Sequence, residues 1–581
     1  MSVQLKISKY SFLAFVLLCF IQSYAVERQS IWPSGKMPDT QSYQIAAMLD
    51  VTRNAEFDAA NYRIPYIEWF NRPDSIKSNK ACIVLISGGS YNTCCDIGLI
   101  KLWQEKFTKL GFQCVNLVYR TPRPEGLPIY QTAWEDGQRA IRIIRSESIK
   151  RGFDPEKIGV VSMSAGSHLG LLLSSSSQSK SYSPIDKLDS ISCHINYAIL
   201  HAPAYVTTDG ESGTPSWLEG YGPDIKLSAC FHFDEKTCPI SLHHGGLDEY
   251  SSNGSTLIYN KLRKMNVPSE LHLYPNVGHG AYGLERGIEF LYQIGIMGKL
   301  GSEEEIEKRY SSDERRKEVI KQDIWPERSI PNFQTHQCIP YIEWHFPKTL
   351  KTKSIQIIYS GGSYKGNNPD GFEVAPARRY LNELGMTVVT LRYRTPRPKG
   401  LAKHITAWED LQRTIRVVRS QAEIYGLDPK QIGIMGSSAG GHLTLLGVTS
   451  SLHKSYLPID EIDNIPCNVQ WGICMYPAYV LTDGIDGPNT YRGNANDIHL
   501  VSDFSFDIRT VPTLFIHGDA DGYSAMGSVR VWERMKSMGV QSELHILALR
   551  DHCFQRKASP KTGSYTWLER ISDFLTSLEV L

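Results

Sequence analysis

The sequence predicts an α/β fold that occurs twice in the chain, each copy a mostly parallel twisted sheet flanked by helices. Three features support this prediction: the length of the chain, a long internal repeat, and short apolar runs that alternate with amphipathic helical patterns. A chain of 581 residues is longer than one hydrophobic core usually organises, so at least two domains are expected. The net charge of +1 favours neither nucleic acid nor an anionic membrane as a partner.

The internal repeat defines the two domains. Four motifs recur in the same order and at a nearly constant offset: residues 64–69 and 339–344, 119–124 and 393–398, 132–136 and 406–410, and 269–272 and 542–545. Because this offset is far longer than a solenoid repeat, each copy is expected to be a whole domain. The predicted domains span residues 26–297 and 323–581, and the densely charged residues 298–322 predict a solvated helical linker.

Within each copy, short apolar runs alternate with helical patterns. Residues 81–87, 113–119 and 158–162 predict buried strands. Residues 132–150 place apolar side chains on one face and charges on the other, as an amphipathic helix does. This alternation predicts a parallel sheet covered on both faces, with ligands bound beyond the carboxyl ends of its strands.

A candidate nucleophile follows a predicted strand in each copy. Residues 436–440 read Gly-Ser-Ser-Ala-Gly between a strand and a helix, which is the setting of a nucleophile elbow centred on Ser438. Small residues are needed there because the turn is tight, and the helix N-terminus favours developing negative charge. In the first copy the central serine is Ser164, and Ser162 replaces the first glycine, which predicts a weaker elbow.

An acid and a base follow the nucleophile in each copy. The candidates are Asp248 and His279 in the first copy and Asp521 and His552 in the second. The order Ser, Asp, His is that of α/β-hydrolases, and the two copies keep nearly equal spacings. A histidine held by a carboxylate can remove the proton of the serine, which then attacks an acyl carbon.

Other acids and histidines lie near these positions. Asp519 is an alternative to Asp521, but the first copy has Gly246 at the corresponding place, so Asp521 is preferred. Structural roles are expected for the remaining histidines near the motifs: His243, His244 and His517 at strand ends, His272 and His545 inside strands, and His168 and His442 beside the elbows.

A glycine-rich turn after the first long strand of each copy predicts an oxyanion hole. Glycines let the backbone approach a ligand closely and direct amide groups at it. The predicted donors are Gly89, Ser90 and Ala165 in the first copy and Gly362, Ser363 and Ala439 in the second. No Lys-Ser/Thr pair follows the turn, so it does not fit a phosphate-binding P-loop.

These motifs together resemble a known family. Ser-Gly-Gly-Ser-Tyr, Tyr-Arg-Thr-Pro-Arg-Pro, Trp-Glu-Asp-x-Gln-Arg and Ser-Ala-Gly-x-His-Leu occur in order in both copies. They are similar to tandem α/β-hydrolase esterases of the hormone-sensitive-lipase-like branch, and most similar to bacterial acetylxylan and feruloyl esterase-like members. The Ser-Gly-Gly-Ser segment departs from the family pattern, in which this oxyanion segment usually begins with His or Pro. The resemblance implies hydrolysis of carboxylic esters through an acyl-enzyme, without metal or cofactor.

The N-terminal segment predicts export. Lys6 and Lys9 precede the apolar residues 12–21, and small residues follow, as in a cleavable signal peptide over residues 1–25. The apolar run is too short to span a bilayer, so a secreted or periplasmic protein is expected, without stable membrane insertion. Removal of Cys19 with the signal peptide would leave eleven cysteines, and the sequence leaves open whether one or two disulfides form.

The leading hypothesis is a secreted carbohydrate esterase, a deacetylase in which both triads are active. Residues 207–236 and 481–508 are polar loops rather than an apolar cap, which favours a polar, bulky substrate such as an acylated carbohydrate. A serine peptidase of the same fold is one alternative. A second is a single catalytic domain with a degenerate substrate-binding domain. The sequence does not determine the oligomeric state or the acyl group.

Overall fold

The computed structural model describes residues 26–43, 64–94, 96–210, 224–298, 319–326, 329–485, 487, 498–557 and 566–581. They form two compact units, one that contains the residues up to 197 together with 233–236, and one that contains the remaining residues. This boundary lies inside the first repeat. The domain bounds that the sequence suggests, at residues 297 and 323, therefore stay a prediction, and the expected signal peptide lies outside the described residues.

The first unit contains strands β1 to β5 and helices α1 to α4. The strands are β1 (Val26–Ser30), β2 (Tyr66–Phe70), β3 (Cys82–Ile86), β4 (Gln113–Val118) and β5 (Ile158–Met163). The helices are α1 (Ile97–Lys109), α2 (Gln131–Ser146), α3 (Ser148–Arg151) and α4 (Ala165–Ser175). The strand order is β1-β2-β4-β3-β5, in which β3 is parallel to both β4 and β5. Strands β1 and β2 extend the edge in antiparallel fashion.

The second unit contains strands β6 to β16 and helices α5 to α11. The strands are β6 (Tyr197–His201), β7 (Ile240–Gly245), β8 (Ser269–Tyr274), β9 (Ile320–Asp323), β10 (Tyr341–His345), β11 (Ile355–Tyr359), β12 (Thr387–Arg392), β13 (Ile432–Ser437), β14 (Trp471–Met475), β15 (Thr513–Gly518) and β16 (Glu543–Leu547). The helices are α5 (Asn253–Lys264), α6 (Leu284–Gln293), α7 (Ala375–Glu383), α8 (Ile405–Gln421), α9 (Ala439–Thr449), α10 (Met526–Ser537) and α11 (Trp567–Ser577). The strand order is β6-β7-β8-β16-β15-β14-β13-β11-β12-β10-β9.

The prediction of a mostly parallel sheet flanked by helices is confirmed. Strands β11 to β16 of the second repeat pair in parallel with one another, β10 pairs antiparallel with β12, and every residue of β11 and β14 is buried. A buried apolar cluster that includes Trp471, Trp567 and Phe574 packs helix α11 against the sheet. The continuous apolar runs in the sequence therefore reflect strands that are covered on both faces.

One sequence-based expectation is wrong at its C-terminal end. Of the predicted helical linker, residues 299–318 lie outside the described residues, but Ile320–Asp323 form strand β9, which pairs antiparallel with β10. Three of its four residues are exposed, so it lacks the apolar alternation by which a half-buried strand is recognised. Pairing with the edge of the sheet makes this charged segment a strand.

Strand β8 of the first repeat pairs antiparallel with strand β16 of the second. Leu273 lies opposite Leu544, His272 opposite His545, and Leu271 opposite Ile546. The Ser-Glu-Leu-His motif of the first repeat thus pairs with its own copy in the second. The same contact places the C-terminal strands of the first repeat in one unit with the second repeat.

A buried ion cluster accounts for two further repeated motifs. The guanidinium of Arg394 contacts Glu409 at 2.8 Å and Asp410 at 2.9 Å, and the indole of Trp325 donates to Asp410 at 2.7 Å. In the first unit the same contacts join Arg120, Glu135, Asp136 and Trp32. The Tyr-Arg-Thr-Pro and Trp-Glu-Asp motifs are therefore partly structural, because each buried charge needs its partner.

The remaining sequence-based expectations concern membranes, loops and cysteines. None of the helices in the described part of the chain combines the length and apolar character that a membrane crossing requires. Antiparallel bridges from Thr207 to Leu227 and from Leu481 to Leu500 close the bases of the two polar loops, of which residues 211–223, 486 and 488–497 are not described. Among the residues that the structure describes, free thiols include those of Cys82, Cys114, Cys193, Cys338, Cys467, Cys474 and Cys553.

Candidate active site

Both candidate nucleophiles lie at a strained turn between a strand and a helix. Ser438 joins β13 to α9 with φ +56° and ψ −119°, and Ser164 joins β5 to α4 with φ +58° and ψ −127°. A serine rarely adopts such angles, and strain of this kind is typical of functional turns. The two elbows have the same backbone conformation, although Ser162 replaces Gly436 in the first repeat. The hydroxyl of Ser162 lies 3.1 Å from that of Ser167.

The second repeat brings its three predicted catalytic residues together. Ser438 Oγ lies 2.7 Å from His552 Nε2, and His552 Nδ1 lies 2.8 Å and 3.0 Å from the two carboxylate oxygens of Asp521. Since a carboxylate only accepts hydrogen bonds, Nδ1 carries the proton, and the lone pair of Nε2 faces the serine hydroxyl. This is the tautomer in which histidine acts as a base toward serine.

Asp521 is held ionised by its surroundings. Burial alone would raise its pKa, but hydrogen bonds with His517 and His552 outweigh burial and lower the pKa to about 2. The backbone amide of Tyr523 also donates to Asp521 at 2.7 Å. Asp519, the alternative acid, instead accepts a hydrogen bond from Tyr259 at 2.5 Å. The preference for Asp521 over Asp519 therefore agrees with the geometry.

The first repeat has the matching acid–base pair. His279 Nδ1 lies 2.9 Å and 3.0 Å from the carboxylate oxygens of Asp248. Despite burial, hydrogen bonds with His244 and His279 lower the pKa of Asp248, and the amide of Tyr250 donates to it at 2.8 Å. This pair belongs to the second unit, and Ser164 belongs to the first. The pair and the elbow each have the local geometry of their counterparts in the second repeat.

The predicted oxyanion turn of the second repeat lies against the nucleophile. A Cβ atom on Gly361 would stand 2.7 Å from Cβ of Ser438, so only glycine allows this approach. Gly362 has φ +99° and Ser363 has φ +57°, which turns the backbone sharply beside the elbow. Ala439 begins α9 directly after the serine. In the first unit, a Cβ atom on Gly88 would likewise stand 2.7 Å from Cβ of Ser164. The predicted donors there, Gly89 and Ser90, again have positive φ, and Ala165 begins α4.

Two supporting residues were missed by the sequence reasoning. The hydroxyl of Tyr393 donates to the carbonyls of Ser360 and Gly361, each at 2.9 Å, and Arg397 Nε donates to the carbonyl of Ser363 at 2.8 Å. Tyr119 and Arg123 make the corresponding bonds to Ser87 and Ser90 in the first unit. The repeat of Tyr-Arg-Thr-Pro-Arg-Pro was the available signal, since its first and fifth residues hold the predicted oxyanion turn.

The histidines beside the elbows support the same turn. Tyr364, the last residue of Ser-Gly-Gly-Ser-Tyr, lies with its hydroxyl 2.9 Å from His442 Nδ1. In the first unit Tyr91 lies 2.9 Å from His168 Nδ1. Burial lowers the pKa of His168 to about 3 and also lowers the pKa of His442, so both imidazoles are neutral. A supporting rather than chemical role agrees with the sequence-based expectation.

An aromatic and basic wall adjoins the second triad. The ring of Tyr523 lies 4.9 Å from that of His552, and the ring of Tyr479 lies 5.3 Å from that of Tyr523. Arg397 donates to the hydroxyl of Tyr479 at 3.0 Å, and the ammonium of Lys403 lies 4.5 Å from the centre of its ring. These groups offer flat apolar faces together with hydrogen-bond donors, a combination that suits a polar ligand.

The sheet, the elbows and the order of the candidate catalytic residues are those of the α/β-hydrolase class. Within it, residues 70–201 and 343–468 match the BD-FAE family model, one match in each repeat. Each repeat thus matches the model of a feruloyl esterase-like α/β-hydrolase, and the resemblance that the motifs indicated is confirmed.

Three relatives show the same similarity over shorter parts of their chains. The chain is 27% identical over 232 residues to endo-1,4-beta-xylanase B of Butyrivibrio fibrisolvens, covering 39% of this chain and 36% of that protein. It is 32% identical over 241 residues to the acetylxylan esterase of Xylanibacter ruminicola, covering 38% and 43%. It is 30% identical over 142 residues to the probable carboxylic ester hydrolase LipM of Mycobacterium tuberculosis, covering 24% and 31%. The chain thus spans less than half the length of each of these relatives.

Proposed function

We propose that the chain is a serine esterase that hydrolyses carboxylic esters of carbohydrates through an acyl-enzyme, with one active site in each repeat. The observation that carries the proposal is the contact of 2.7 Å between Ser438 Oγ and His552 Nε2, backed by Asp521. Unaided serine is a poor nucleophile, and this arrangement is the usual means of activating it toward an acyl carbon.

The proposed reaction uses these atoms in sequence. Ser438 Oγ forms a bond to the acyl carbon as its proton passes to His552 Nε2, and the carbonyl oxygen becomes an oxyanion. Amides of the oxyanion turn and of Ala439 stabilise that charge. The bond to the alcohol then breaks as His552 returns the proton to the leaving oxygen. Water then attacks the acyl carbon of the acyl-enzyme as His552 takes its proton, and His552 returns that proton to Ser438 Oγ as the acid leaves. Asp521 stabilises the charged imidazole in both halves of the reaction.

A short acyl group on a polysaccharide or oligosaccharide is the substrate that these features favour. Two of the relatives carry names that refer to xylan, and the wall formed by Tyr479, Tyr523 and Arg397 offers ring faces and donors for a sugar. Acetylated xylan oligomers should therefore be hydrolysed faster than 4-nitrophenyl esters of long fatty acids. The reverse preference would contradict the carbohydrate assignment and leave the esterase chemistry intact.

The decisive experiment compares wild type, Ser164→Ala, Ser438→Ala and the double variant on 4-nitrophenyl acetate. Two independent sites predict that each single variant keeps part of the activity and that the double variant loses it. If one substitution abolishes all activity, the other repeat acts as a support domain for this substrate. A double variant as active as wild type would refute the assignment of both nucleophiles.

We also propose that the protein is exported, to the periplasm or the medium. The support is the sequence of residues 1–25, with lysines before a short apolar run and small residues after it. Fractionation of cells that express the full chain, followed by N-terminal sequencing, tests this. A cytoplasmic product with an intact N-terminus would contradict it.

A further inference from the structure

A cluster of potential metal ligands lies beside the second active site. His404 Nδ1 is 3.4 Å from Asp503 Oδ2, and His442 Nε2 is 3.3 Å from the same oxygen. One ligand atom from each of the three residues lies within 4.8 Å of the other two. The residues come from three elements: His404 precedes α8, His442 lies on α9, and Asp503 lies in the segment between β14 and β15.

The two ring nitrogens of His442 differ in how well their neighbours satisfy them. Its side chain is 1% exposed, and its Nδ1 is engaged by the hydroxyl of Tyr364. Its Nε2 lies 3.3 Å from Asp503 and makes no well-aligned hydrogen bond with any described residue. A charge-assisted hydrogen bond from an imidazole to a carboxylate would be about 2.7–2.9 Å long, shorter than the observed separation. A buried polar atom without a well-aligned hydrogen bond is costly, so it requires an explanation.

A bound cation explains both the distances and the poorly satisfied nitrogen. Zinc–nitrogen and zinc–oxygen bonds of about 2.0–2.2 Å in a tetrahedral site place neighbouring ligand atoms about 3.4 Å apart. The two separations from Asp503 have this value. With Nε2 bound to a metal, Nδ1 of His442 carries its proton and donates to Tyr364, the outer hydrogen bond that metal-binding histidines usually have.

The surrounding charges are compatible with a cation. His404 and His442 are both buried, and Asp503 supplies one negative charge with its side chain partly exposed. Lys403 is the neighbouring cation, and its ammonium group contacts the Tyr479 ring and the carbonyl of Ile485. Two imidazoles and one carboxylate are a donor set that suits Zn²⁺ and other divalent transition metals.

We propose that His404, His442 and Asp503 bind a divalent transition metal ion, with Zn²⁺ the best match. The ion ties the segment that carries Asp503 to α9, one helical turn beyond Ser438, and to the start of α8. The site belongs to the second repeat, since the first has Tyr130 and Cys230 where the second has His404 and Asp503. It does not depend on the proposed esterase activity.

The test is a comparison of metal binding by the full chain and by His404→Tyr, which introduces the residue of the first repeat. Both proteins are stripped with a chelator and titrated with Zn²⁺ by calorimetry, and bound metal is counted by mass spectrometry. Wild type should bind one equivalent more than His404→Tyr, and Zn²⁺ should raise the melting temperature of wild type alone. Asp503→Asn should behave like His404→Tyr, whereas His453→Gln, a control beside Trp408, should behave like wild type.

Two further readouts keep the proposal falsifiable. Co²⁺ added to stripped wild type should produce the visible absorption of a low-symmetry nitrogen–oxygen site, and the band should be absent from His404→Tyr. Stripped wild type and stripped His404→Tyr should melt at similar temperatures, which shows that the variant folds. Equal Zn²⁺ binding by wild type and both site variants, or no binding by wild type, would overturn the assignment.

Discussion

The imidazoles of His272 and His545 lie opposite each other on strands β8 and β16, with their Nδ1 atoms 2.8 Å apart. His272 Nε2 is 2.9 Å from Glu270, and His545 Nε2 is 2.5 Å from Glu543. All four side chains are buried. Two like nitrogens at this distance require that one of them donates a proton and the other accepts it.

One proton assignment satisfies the whole chain of contacts. Burial raises the pKa of Glu543 to about 8, so it can donate its proton to His545 Nε2. His545 then donates from Nδ1 to His272 Nδ1, and His272 donates from Nε2 to Glu270, which also accepts the amide of Ala548. Burial lowers the pKa of both histidines, in agreement with two neutral rings.

Glu543→Gln should therefore change how stability depends on pH. Wild-type Glu543 binds its proton more tightly when folded, so its contribution is fully present below the ordinary pKa of about 4.3 and is lost as pH rises through about 8. The loss is up to about 1.4 kcal/mol per pH unit over that window. The melting temperature of Glu543→Gln relative to wild type should thus rise between pH 5 and pH 8.5. The exposed Glu423→Gln serves as control, and parallel profiles for all three proteins would refute the proton assignment.

Asp521→Asn should lower kcat about 10³–10⁴-fold, because an amide stabilises neither the required tautomer nor the charged imidazole. The measurement is made on 4-nitrophenyl acetate in the Ser164→Ala background, which removes the first site. Asp519→Asn is the matched control, since Asp519 bonds Tyr259 rather than the catalytic histidine. If the two substitutions had equal effects, Asp521 would not be the triad acid.

Gly361→Ala should abolish most activity of the second site. The added Cβ would stand 2.6 Å from the carbonyl of Ser437 and 2.7 Å from Cβ of Ser438, so the turn or the nucleophile must move. A loss of about 10²-fold or more in kcat is expected, since a misplacement of 1 Å costs that much. Gly366→Ala has open space around its Cβ and should keep normal kinetics in the same Ser164→Ala background. Normal kinetics for Gly361→Ala would argue against the oxyanion assignment.

Arg394→Met should destabilise the protein by about 3–5 kcal/mol, because it leaves Glu409 and Asp410 buried without their counter-charge. Thermal unfolding monitored by circular dichroism measures the change. Arg378→Met is the control: its ion pair with Asp370 is partly exposed, and its loss should cost about 1 kcal/mol or less. Similar melting temperatures for the two variants would show that the buried cluster contributes little.

The sequence predicted the candidate triad residues but not the residues that hold them. Ser438, Asp521 and His552 each occupy a loop after a strand, and their order along the chain is enough to connect them. Tyr393 and Arg397 belong to a repeated motif, but the sequence does not reveal their role, because their partners are backbone carbonyls about 35 residues earlier in the chain. Strand β9 was not predicted for a related reason: it forms because it pairs with the edge of a sheet, and its own sequence lacks a strand pattern.

The sequence by itself determined the repeat, the α/β class and the six candidate catalytic residues, since turn chemistry and apolar periodicity are local properties. Only the tertiary structure decided that His272 contacts His545 and that the side chains of His404, His442 and Asp503 form one cluster. Those contacts join elements far apart in the chain, and no spacing in the sequence encodes them. What brings them together is the burial of both faces of the sheet, which fixes the neighbours of each strand and helix.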